Sequence, residues 1–183
     1  TLFGLIAATG LRINEALRLN DSDVDLDAKV ITILRSKNGK ARYVPIATST
    51  AERLAAYRVE RRRLLGTLDG AFFRNDDGQR LTDCCARYNF AVVSQTMGLR
   101  PQQRFCKHGH GPRIHDLRHS FAVHTITDWY RKGLDPDREM IRLTTYLGHS
   151  KPEHTYWYIE AVPELLALAS QRAERSLATR DGR

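Results

Sequence analysis

The sequence predicts an α+β fold that is mostly helical and has a small antiparallel β-sheet in its N-terminal third. Two short runs of β-forming residues, 30–34 and 42–46, flank the pair Asn38-Gly39. Asn-Gly between strands favours a type I′ hairpin turn, because both turn positions need positive φ. Outside this hairpin, apolar residues recur at helical spacing between capping residues and glycines. A length of 183 residues is typical of one domain.

The helices are predicted in order from their start and stop signals. A first helix ends at Gly10, since glycine readily takes the left-handed conformation that closes a helix, and a second follows at once. Ser49-Thr50-Ala51-Glu52 is a capping box that opens a helix ending at Gly66. Further helices are predicted over 82–97, 114–130, 138–147, 152–161 and 163–177, with a polar turn over 21–27, a long loop over 99–113 and a loose tail over 178–183.

Composition favours a nucleic-acid partner, with the codon usage of a GC-rich genome as the alternative explanation of its many arginines, and it excludes two other classes of protein. The net charge is +8, and the 29 basic residues comprise 23 Arg and 6 Lys; the forked guanidinium group matches phosphate oxygens. A chain with 42% hydrophobic residues is not wholly disordered, and no apolar run approaches the ~20 residues that a membrane span needs. Three cysteines do not make a disulfide framework and fit a reducing cytoplasm. The first residues, without Met or a basic region, resemble the middle of a helix in a longer protein rather than a signal peptide.

Phosphodiester transfer without a metal needs a nucleophile, cations for the non-bridging oxygens and an acid for the leaving oxygen. His115 and Arg118 lie three residues apart, on one face of a predicted helix. Taken singly, such residues are more often surface or packing residues. The candidates for the three roles are Arg12, Lys37, His115, Arg118, His149, Tyr156 and Tyr158.

Five motifs occur in order along the chain and together resemble the catalytic domain of tyrosine recombinases of the phage integrase family. They are Ala8-Thr9-Gly10-Leu11-Arg12-Ile13-Asn14-Glu15-Ala16-Leu17, Ser36-Lys37-Asn38-Gly39-Lys40, His115-Asp116-Leu117-Arg118-His119, Leu147-Gly148-His149 and Tyr158. The resemblance covers essentially the whole chain. It implies one catalytic domain over 1–183, without the N-terminal DNA-binding domain of full members. The stretch 129–135 and Thr155-Tyr156-Trp157-Tyr158 resemble transposon- and plasmid-borne members.

The resemblance assigns the residues. Tyr158, nine residues beyond His149 as in the family, is the nucleophile, which leaves Tyr156 and Trp157 as packing residues. Glu15 supports the first arginine. Lys37, just ahead of the turn, is the catalytic lysine, and Lys40 is either a phosphate contact or turn surface. The six catalytic positions are Arg12, Lys37, His115, Arg118, His149 and Tyr158, and the expected DNA contacts are Lys40, Arg42, Arg113 and His119, the last of them alternatively structural.

The implied activity is site-specific cleavage and rejoining of double-stranded DNA through a 3′-phosphotyrosine, with no metal and no cofactor. The expected partners are DNA, further copies of the chain in a tetramer, and other recombinases, at the nucleoid in a bacterial cytoplasm. Leu165, Leu166 and Leu168 resemble a C-terminal helix that is lent to a neighbouring protomer; packing on its own domain is the alternative.

Two other functions compete with this interpretation. A metal-dependent nuclease would need a metal site, for which Cys106, His108 and His110, with Cys84 and Cys85 upstream, are the candidates, although no spacing matches a zinc pattern. A DNA-binding protein could use the same fold without cutting. The arginines at 58, 61, 62 and 63 are either DNA contacts or a solvated helix face.

Overall fold

The computed structural model describes residues 1–34, 41–66, 70–101, 111–149, 151, 153–160 and 163–181. It confirms a mostly helical chain with one three-stranded antiparallel sheet, in the order β1-β2-β3. Among these residues, no helix has the length and apolarity needed to cross a bilayer. The elements are α1 (Leu2–Thr9), α2 (Ile13–Arg18), a 3₁₀ turn (Asp21–Asp23), β1 (Val24–Asp25), β2 (Val30–Ile33), β3 (Arg42–Pro45), α3 (Thr48–Leu65), α4 (Asp83–Thr96), α5 (Ile114–Arg131), α6 (Pro136–Leu147), α7 (Glu153–Glu160) and α8 (Pro163–Asp181).

The chain divides into two compact units, Thr1–Arg118 and His119–Arg183, and the division falls within α5. The first unit contains the sheet and helices α1 to α4. The second contains most of α5 and helices α6 to α8. A single catalytic domain over 1–183 stays a prediction.

The sheet contains the two predicted strands and one that the sequence did not indicate. Strands β2 and β3 pair antiparallel, with Ile31 opposite Val44; the Asn38-Gly39 turn lies outside the described residues. Within the predicted polar turn, Val24 pairs with Ile31 and so begins β1. A strand of two residues is too short to show the period-two alternation by which strands are recognised in a sequence.

Helix α3 does not begin with the predicted capping box. Its N-cap is Ala47, whose side chain makes no capping hydrogen bond, and the helix begins at Thr48. Ser49 therefore lies inside the first turn, where its hydroxyl cannot serve as the N-cap. The helix ends before Gly66 as predicted.

Two of the four α3 arginines, Arg58 and Arg61, bond to neighbouring segments of the first unit. The Arg61 side chain is only 9% exposed and binds Asp21 through two hydrogen bonds of 2.9 and 3.0 Å. It also donates to the carbonyl oxygen of Phe72, and Arg58 donates to that of Val24 at 3.0 Å. The prediction of a solvated or DNA-facing row is wrong for Arg61, while the side chain of Arg58 remains 32% exposed.

The second unit packs around a core contributed by all four of its helices. Helix α6 begins two residues earlier than predicted, because the Asp135 carboxylate accepts a hydrogen bond from the Asp137 N–H and Pro136 fits the first helical position. Helix α8 continues to Asp181, beyond residue 177 where the sequence predicts its end. The buried core consists of Ala122, Ile126, Met140, Leu143, Leu147, Tyr158 and Leu165.

Helix α8 packs on its own unit through Leu165, which is fully buried, while Leu166 is 47% exposed. We expect Leu165→Ala to lower the free energy of unfolding of the second unit by about 3 kcal/mol, because it removes a buried side chain and leaves a cavity. Leu166→Ala is the matched control and should change it by less than about 0.5 kcal/mol. Urea denaturation, monitored by circular dichroism, measures the free energy of unfolding of both variants. Equal effects of the two variants would contradict this packing of α8.

Candidate active site

The sequence-predicted catalytic residues are distributed over both units. Arg12, His115 and Arg118 belong to the first unit, and His149 and Tyr158 to the second. Lys37 and the expected DNA contact Lys40 lie outside the described residues. The first-unit and second-unit groups are described in turn.

Arg12 is placed by a sharp corner between α1 and α2. Gly10 closes α1 with φ 63° and ψ 18°, a left-handed conformation that glycine takes without strain. Arg12 follows as the N-cap of α2, and its backbone N–H donates to Glu15 Oε2 at 3.0 Å. The Arg12 guanidinium donates from Nη1 to Glu15 Oε1, also at 3.0 Å. Glu15 therefore holds both the backbone and the side chain of Arg12; its supporting role in a reaction stays a prediction.

Arg42 forms an ion pair with the same carboxylate. From β3 it donates Nη1 to Glu15 Oε1 at 2.9 Å and Nη2 to Glu15 Oε2 at 2.8 Å, and its side chain is 10% exposed. Such a two-bond pair is the strongest geometry available to a guanidinium. Arg42 was expected from the sequence to contact DNA, but its guanidinium binds Glu15 in a buried ion pair.

The ionisation of Glu15 follows from these contacts. Burial by itself raises the pKa of a carboxyl group, because it disfavours the charged form. The hydrogen bonds from Arg42 and from the Arg12 backbone, together with the positive charges of both arginines, outweigh burial and hold the pKa of Glu15 below its ordinary value. Glu15 is thus a stable anion that faces two cations.

Arg118 is the fifth residue of α5 and reaches the same corner. Its side chain is among the most completely buried in the protein, with 1% exposure. Nη1 donates to the carbonyl oxygen of Gly10 at 2.5 Å. The structure therefore brings Arg118 to the α1–α2 corner that carries Arg12. His115, one turn earlier, is exposed.

In the second unit, Tyr158 lies between two histidine rings. The His119 ring meets it edge-on with centroids 5.3 Å apart, and the His149 ring lies roughly parallel to it at 6.2 Å. Tyr158 is 3% exposed and belongs to the core of the unit. His119, predicted as a structural residue or a DNA contact, thus packs against the predicted nucleophile.

His149 is held at the corner between α6 and α7. Gly148 ends α6 in a left-handed conformation, with φ 66°, and the His149 N–H binds the carbonyl oxygen of Thr144 at 3.0 Å. The His149 ring places Nδ1 2.8 Å from the hydroxyl of Thr155, a fully buried residue of α7. The hydroxyl of Thr144 lies 3.0 Å from that of Thr155.

Tyr156 faces away from this cluster. The sequence predicted Tyr156 as a packing residue, but it is 38% exposed. Its hydroxyl lies 3.5 Å from Asp137 Oδ1. Burial and the negative charge of Asp137 raise the pKa of Tyr156. A raised pKa makes the phenol a poorer source of the nucleophilic phenolate.

The remaining predicted residues add little to the site. Arg113 is exposed, and its backbone N–H donates to Asp116 Oδ2 at 2.7 Å. Within the described ranges, no three His, Cys, Asp or Glu side chains are placed to hold a metal. Cys106, His108 and His110 lie outside those ranges.

Thr155 was named from the sequence only as part of the motif Thr155-Tyr156-Trp157-Tyr158, and its contact with His149 was not predicted. Thr155 lies three residues before Tyr158, so both are on one face of α7, and this spacing was the available signal. The ion pair between Arg42 and Glu15 had no such signal, since the two residues are 27 positions apart in the sequence.

Comparison with known proteins places the chain in a family. The model of the phage integrase family matches residues 1–164. A Sinorhizobium fredii protein named as an integrase or recombinase, y4rB, is 40% identical over 95% of this chain and 55% of its own length. The tyrosine recombinase XerD of Mycobacterium tuberculosis is 31% identical over 92% of this chain and 51% of its own. The chain spans about half the length of the curated relatives that it matches.

The solved structures that resemble this chain are also recombinases. The crystal structure of XerA recombinase superposes with a TM-score of 0.72 at 22% identity, covering 92% of this chain and 54% of that one, which establishes the shared fold. The XerH site-specific recombinase, in a post-cleavage complex with a palindromic difH substrate, superposes with a TM-score of 0.66 at 27% identity, over 94% of this chain and 45% of that one. With the family match over residues 1–164, these likenesses show that the chain belongs to the phage integrase family, the tyrosine recombinases.

Proposed function

We propose that this chain is the catalytic part of a site-specific DNA recombinase that cuts and rejoins DNA through a covalent 3′-phosphotyrosine. The observation that carries the proposal is the complete, ordered set of predicted catalytic residues within a family match over residues 1–164. The XerH relative, bound to its substrate after cleavage, supports the same reaction class.

In the proposed mechanism, the phenolate of Tyr158 attacks the scissile phosphorus. A bond forms between the tyrosine oxygen and phosphorus, and the bond to the 5′ oxygen breaks. His115 accepts the phenol proton, and Lys37 supplies a proton to the leaving 5′ oxygen. The 5′-hydroxyl of a second strand then reverses these steps, so the bond energy is conserved without a high-energy cofactor.

The cations have a separate task, which is to stabilise the charge of the pentavalent transition state. Arg12 and Arg118 are proposed to bind the non-bridging oxygens, and His149 to donate a further hydrogen bond. Three features support this assignment: Glu15 fixes Arg12, Arg118 reaches the Arg12 corner, and His149 is close to Tyr158. Arg113 and Lys40 are proposed as phosphate contacts outside the reaction itself.

The wider partners are proposals of the same kind. DNA is the substrate, at the nucleoid of a bacterial cell, and a tetramer on DNA with other copies or other recombinases performs the strand exchange. The described packing of Leu165 is within one chain, so exchange of α8 between protomers would require it to leave this core.

A covalent adduct tests the proposed reaction. Supercoiled DNA that carries the ends of the mobile element encoding the chain is incubated with the protein in EDTA, and SDS-resistant protein–DNA adducts are measured. The assay is run with this chain and, separately, with a longer protein. The longer protein joins this chain to the part of a relative that this chain does not cover. We expect an adduct in EDTA. DNA cleavage that needs Mg²⁺ and gives no adduct would indicate a nuclease, and binding without cleavage a non-catalytic DNA-binding protein.

A further inference from the structure

A chain of hydrogen-bonding groups continues from the His149 ring into the core of the second unit. Thr155 is fully buried, and its Oγ1 lies 2.8 Å from His149 Nδ1. Thr144 is 9% exposed, and its hydroxyl lies 3.0 Å from Thr155 Oγ1 and 2.8 Å from the carbonyl oxygen of Met140. Buried hydroxyls have little access to bulk water, so these neighbours determine where each proton goes.

The carbonyl oxygen of Met140 sets the direction of the whole chain. A carbonyl oxygen only accepts hydrogen bonds, and a hydroxyl has one proton to donate. Thr144 therefore donates to Met140 and accepts from Thr155. Because the Thr155 proton is used on Thr144, the Thr155 oxygen is an acceptor on its other side. The proton between Thr155 and the ring consequently belongs to His149 Nδ1.

We propose that Thr144 and Thr155 hold the Nδ1 proton of His149, so that His149 donates to a phosphate oxygen only as the imidazolium cation. This inference rests on the proposed function, in which His149 binds the scissile phosphate. A neutral ring with its proton at Nδ1 has a lone pair at Nε2, and the oxygens of a phosphodiester only accept hydrogen bonds. A second proton, at Nε2, makes the ring a donor on both sides and adds a positive charge to the site.

The surroundings of the ring link this second proton to DNA. Tyr158 of α7 and, beyond it, His119 of α5 are titratable groups near the ring, with Tyr158 parallel to His149 at 6.2 Å and His119 edge-on to Tyr158 at 5.3 Å. Thr155 of α7 and Thr144 of α6 do not titrate. A phosphodiester brings a negative charge to the ring, and a nearby opposite charge favours the imidazolium. DNA binding should therefore be accompanied by proton uptake at Nε2.

Nitrogen-15 NMR of the imidazole groups tests the direction of the chain in the free protein. The protein is labelled at its seven histidines, and His149→Asn identifies the His149 signals. Spectra are recorded above the ordinary histidine pKa of about 6.5, at a pH where His149 is neutral. We expect Nδ1 to be protonated and Nε2 unprotonated. A neutral ring with its proton at Nε2 would overturn the proposal.

The same spectra with DNA test the link to phosphate. Tyr158→Phe is used, so that no adduct forms, with the DNA of the adduct assay and at the same pH. We expect DNA to add a proton at Nε2 while Nδ1 keeps its own. A ring that stays neutral in the DNA complex, with its proton on either nitrogen, would show that His149 does not bind DNA as a cation.

Variants of the two threonines identify the groups that hold the Nδ1 proton. Thr155→Val removes the acceptor, so the Nε2–H tautomer should appear in the free protein, and Thr155→Ser should restore the wild-type spectra. Thr144→Val releases the proton of Thr155 towards Nδ1 and should also raise the share of the Nε2–H tautomer. Thr145→Val is the matched control, since the Thr145 hydroxyl is exposed and bonds to Ile141 O of its own helix at 3.1 Å. Unchanged spectra in Thr155→Val and Thr144→Val would contradict the role of the threonines.

The spectra and the adduct assay separate failure of this inference from failure of the proposed function. If the wild type forms an adduct but the free protein has the Nε2–H tautomer, the reaction holds and this inference is wrong. If no adduct forms, yet DNA adds the second proton to a ring that keeps the first at Nδ1, this inference holds and the proposed reaction is wrong. Circular dichroism of each variant establishes that it is folded.

Discussion

Replacing Tyr158 by Phe should lower the rate of covalent protein–DNA adduct formation by roughly 10³-fold or more. DNA binding and the fold should be retained. The variant removes only the oxygen that is proposed to attack phosphorus, and loss of a nucleophile leaves no route to a covalent intermediate. Phe also keeps the aromatic ring, which matters because Tyr158 is 3% exposed and packs in the core of the second unit. Alanine at this position would confuse chemistry with stability.

Tyr156→Phe is the matched control, two residues away on the same helix. It removes a hydroxyl from an exposed side chain, where the contact with Asp137 is long at 3.5 Å. We therefore expect Tyr156→Phe to form the adduct within about twofold of the wild-type rate. Loss of the adduct in this variant alone would move the nucleophile to Tyr156, and an adduct formed by Tyr158→Phe would refute the assignment altogether.

Several features that depend on neighbouring residues were predictable from the sequence, although the start of α3 was not. The hairpin strands and the C-terminal ends of α1 and α3 follow from short stretches of chain, and the structure has them. The separation of Tyr156 from Tyr158 also follows from helical spacing, since residues two apart point in different directions. The choice of Tyr158 over Tyr156 came from the resemblance to the family, and in the structure the Tyr158 and His149 ring centroids are 6.2 Å apart.

Features that depend on distant residues were not predictable in the same way. The bond from Arg118 to Gly10 joins residues 108 positions apart, and the Arg61–Asp21 pair joins residues 40 positions apart. The sequence does not show whether an arginine binds a phosphate or a buried carboxylate of the same protein. Only the fold decides between these partners, and for Arg42 and Arg61 it provides a carboxylate within the protein.

Replacing Arg42 by Met should destabilise the first unit by about 3 kcal/mol, because removal of one partner leaves a buried carboxylate that has lost two hydrogen bonds. Glu15 and Arg42 have side chains only 5% and 10% exposed, so water cannot compensate fully. The loss should extend to the reaction. Two guanidinium groups now face one carboxylate, which leaves one positive charge in excess near Arg12. Without Arg42, the charge of Glu15 cancels that of Arg12, and no excess positive charge is left to stabilise the transition state. Adduct formation should therefore fall about tenfold or more.

The variant Arg42→Met also separates this role from the DNA contact that the sequence predicted. A phosphate contact would leave the free energy of unfolding unchanged and weaken DNA binding with a smaller salt dependence. A buried ion pair gives the opposite pattern. Arg113→Met is the control for an exposed arginine and should leave stability within about 0.5 kcal/mol.

The double variant Arg42→Met with Glu15→Gln provides the second arm of the test. Removing the charge of the carboxylate together with its partner should recover part of the stability lost in Arg42→Met, since no buried anion is left without its pair. Additive losses in the double-mutant cycle would contradict a coupled pair.

The pH dependence of stability is the third arm of the test. The pKa of Glu15 is lower in the folded chain than its ordinary value of 4.5, so its ionised form contributes stability above that value. The contribution is lost as the pH falls through the lowered pKa. Glu15→Gln lacks this contribution, so the stability difference between wild type and Glu15→Gln should shrink on acidification below about pH 4.5. A difference that stays constant over this range would mean that the carboxylate does not face the two cations in solution, and Arg12 would then need another source of its orientation.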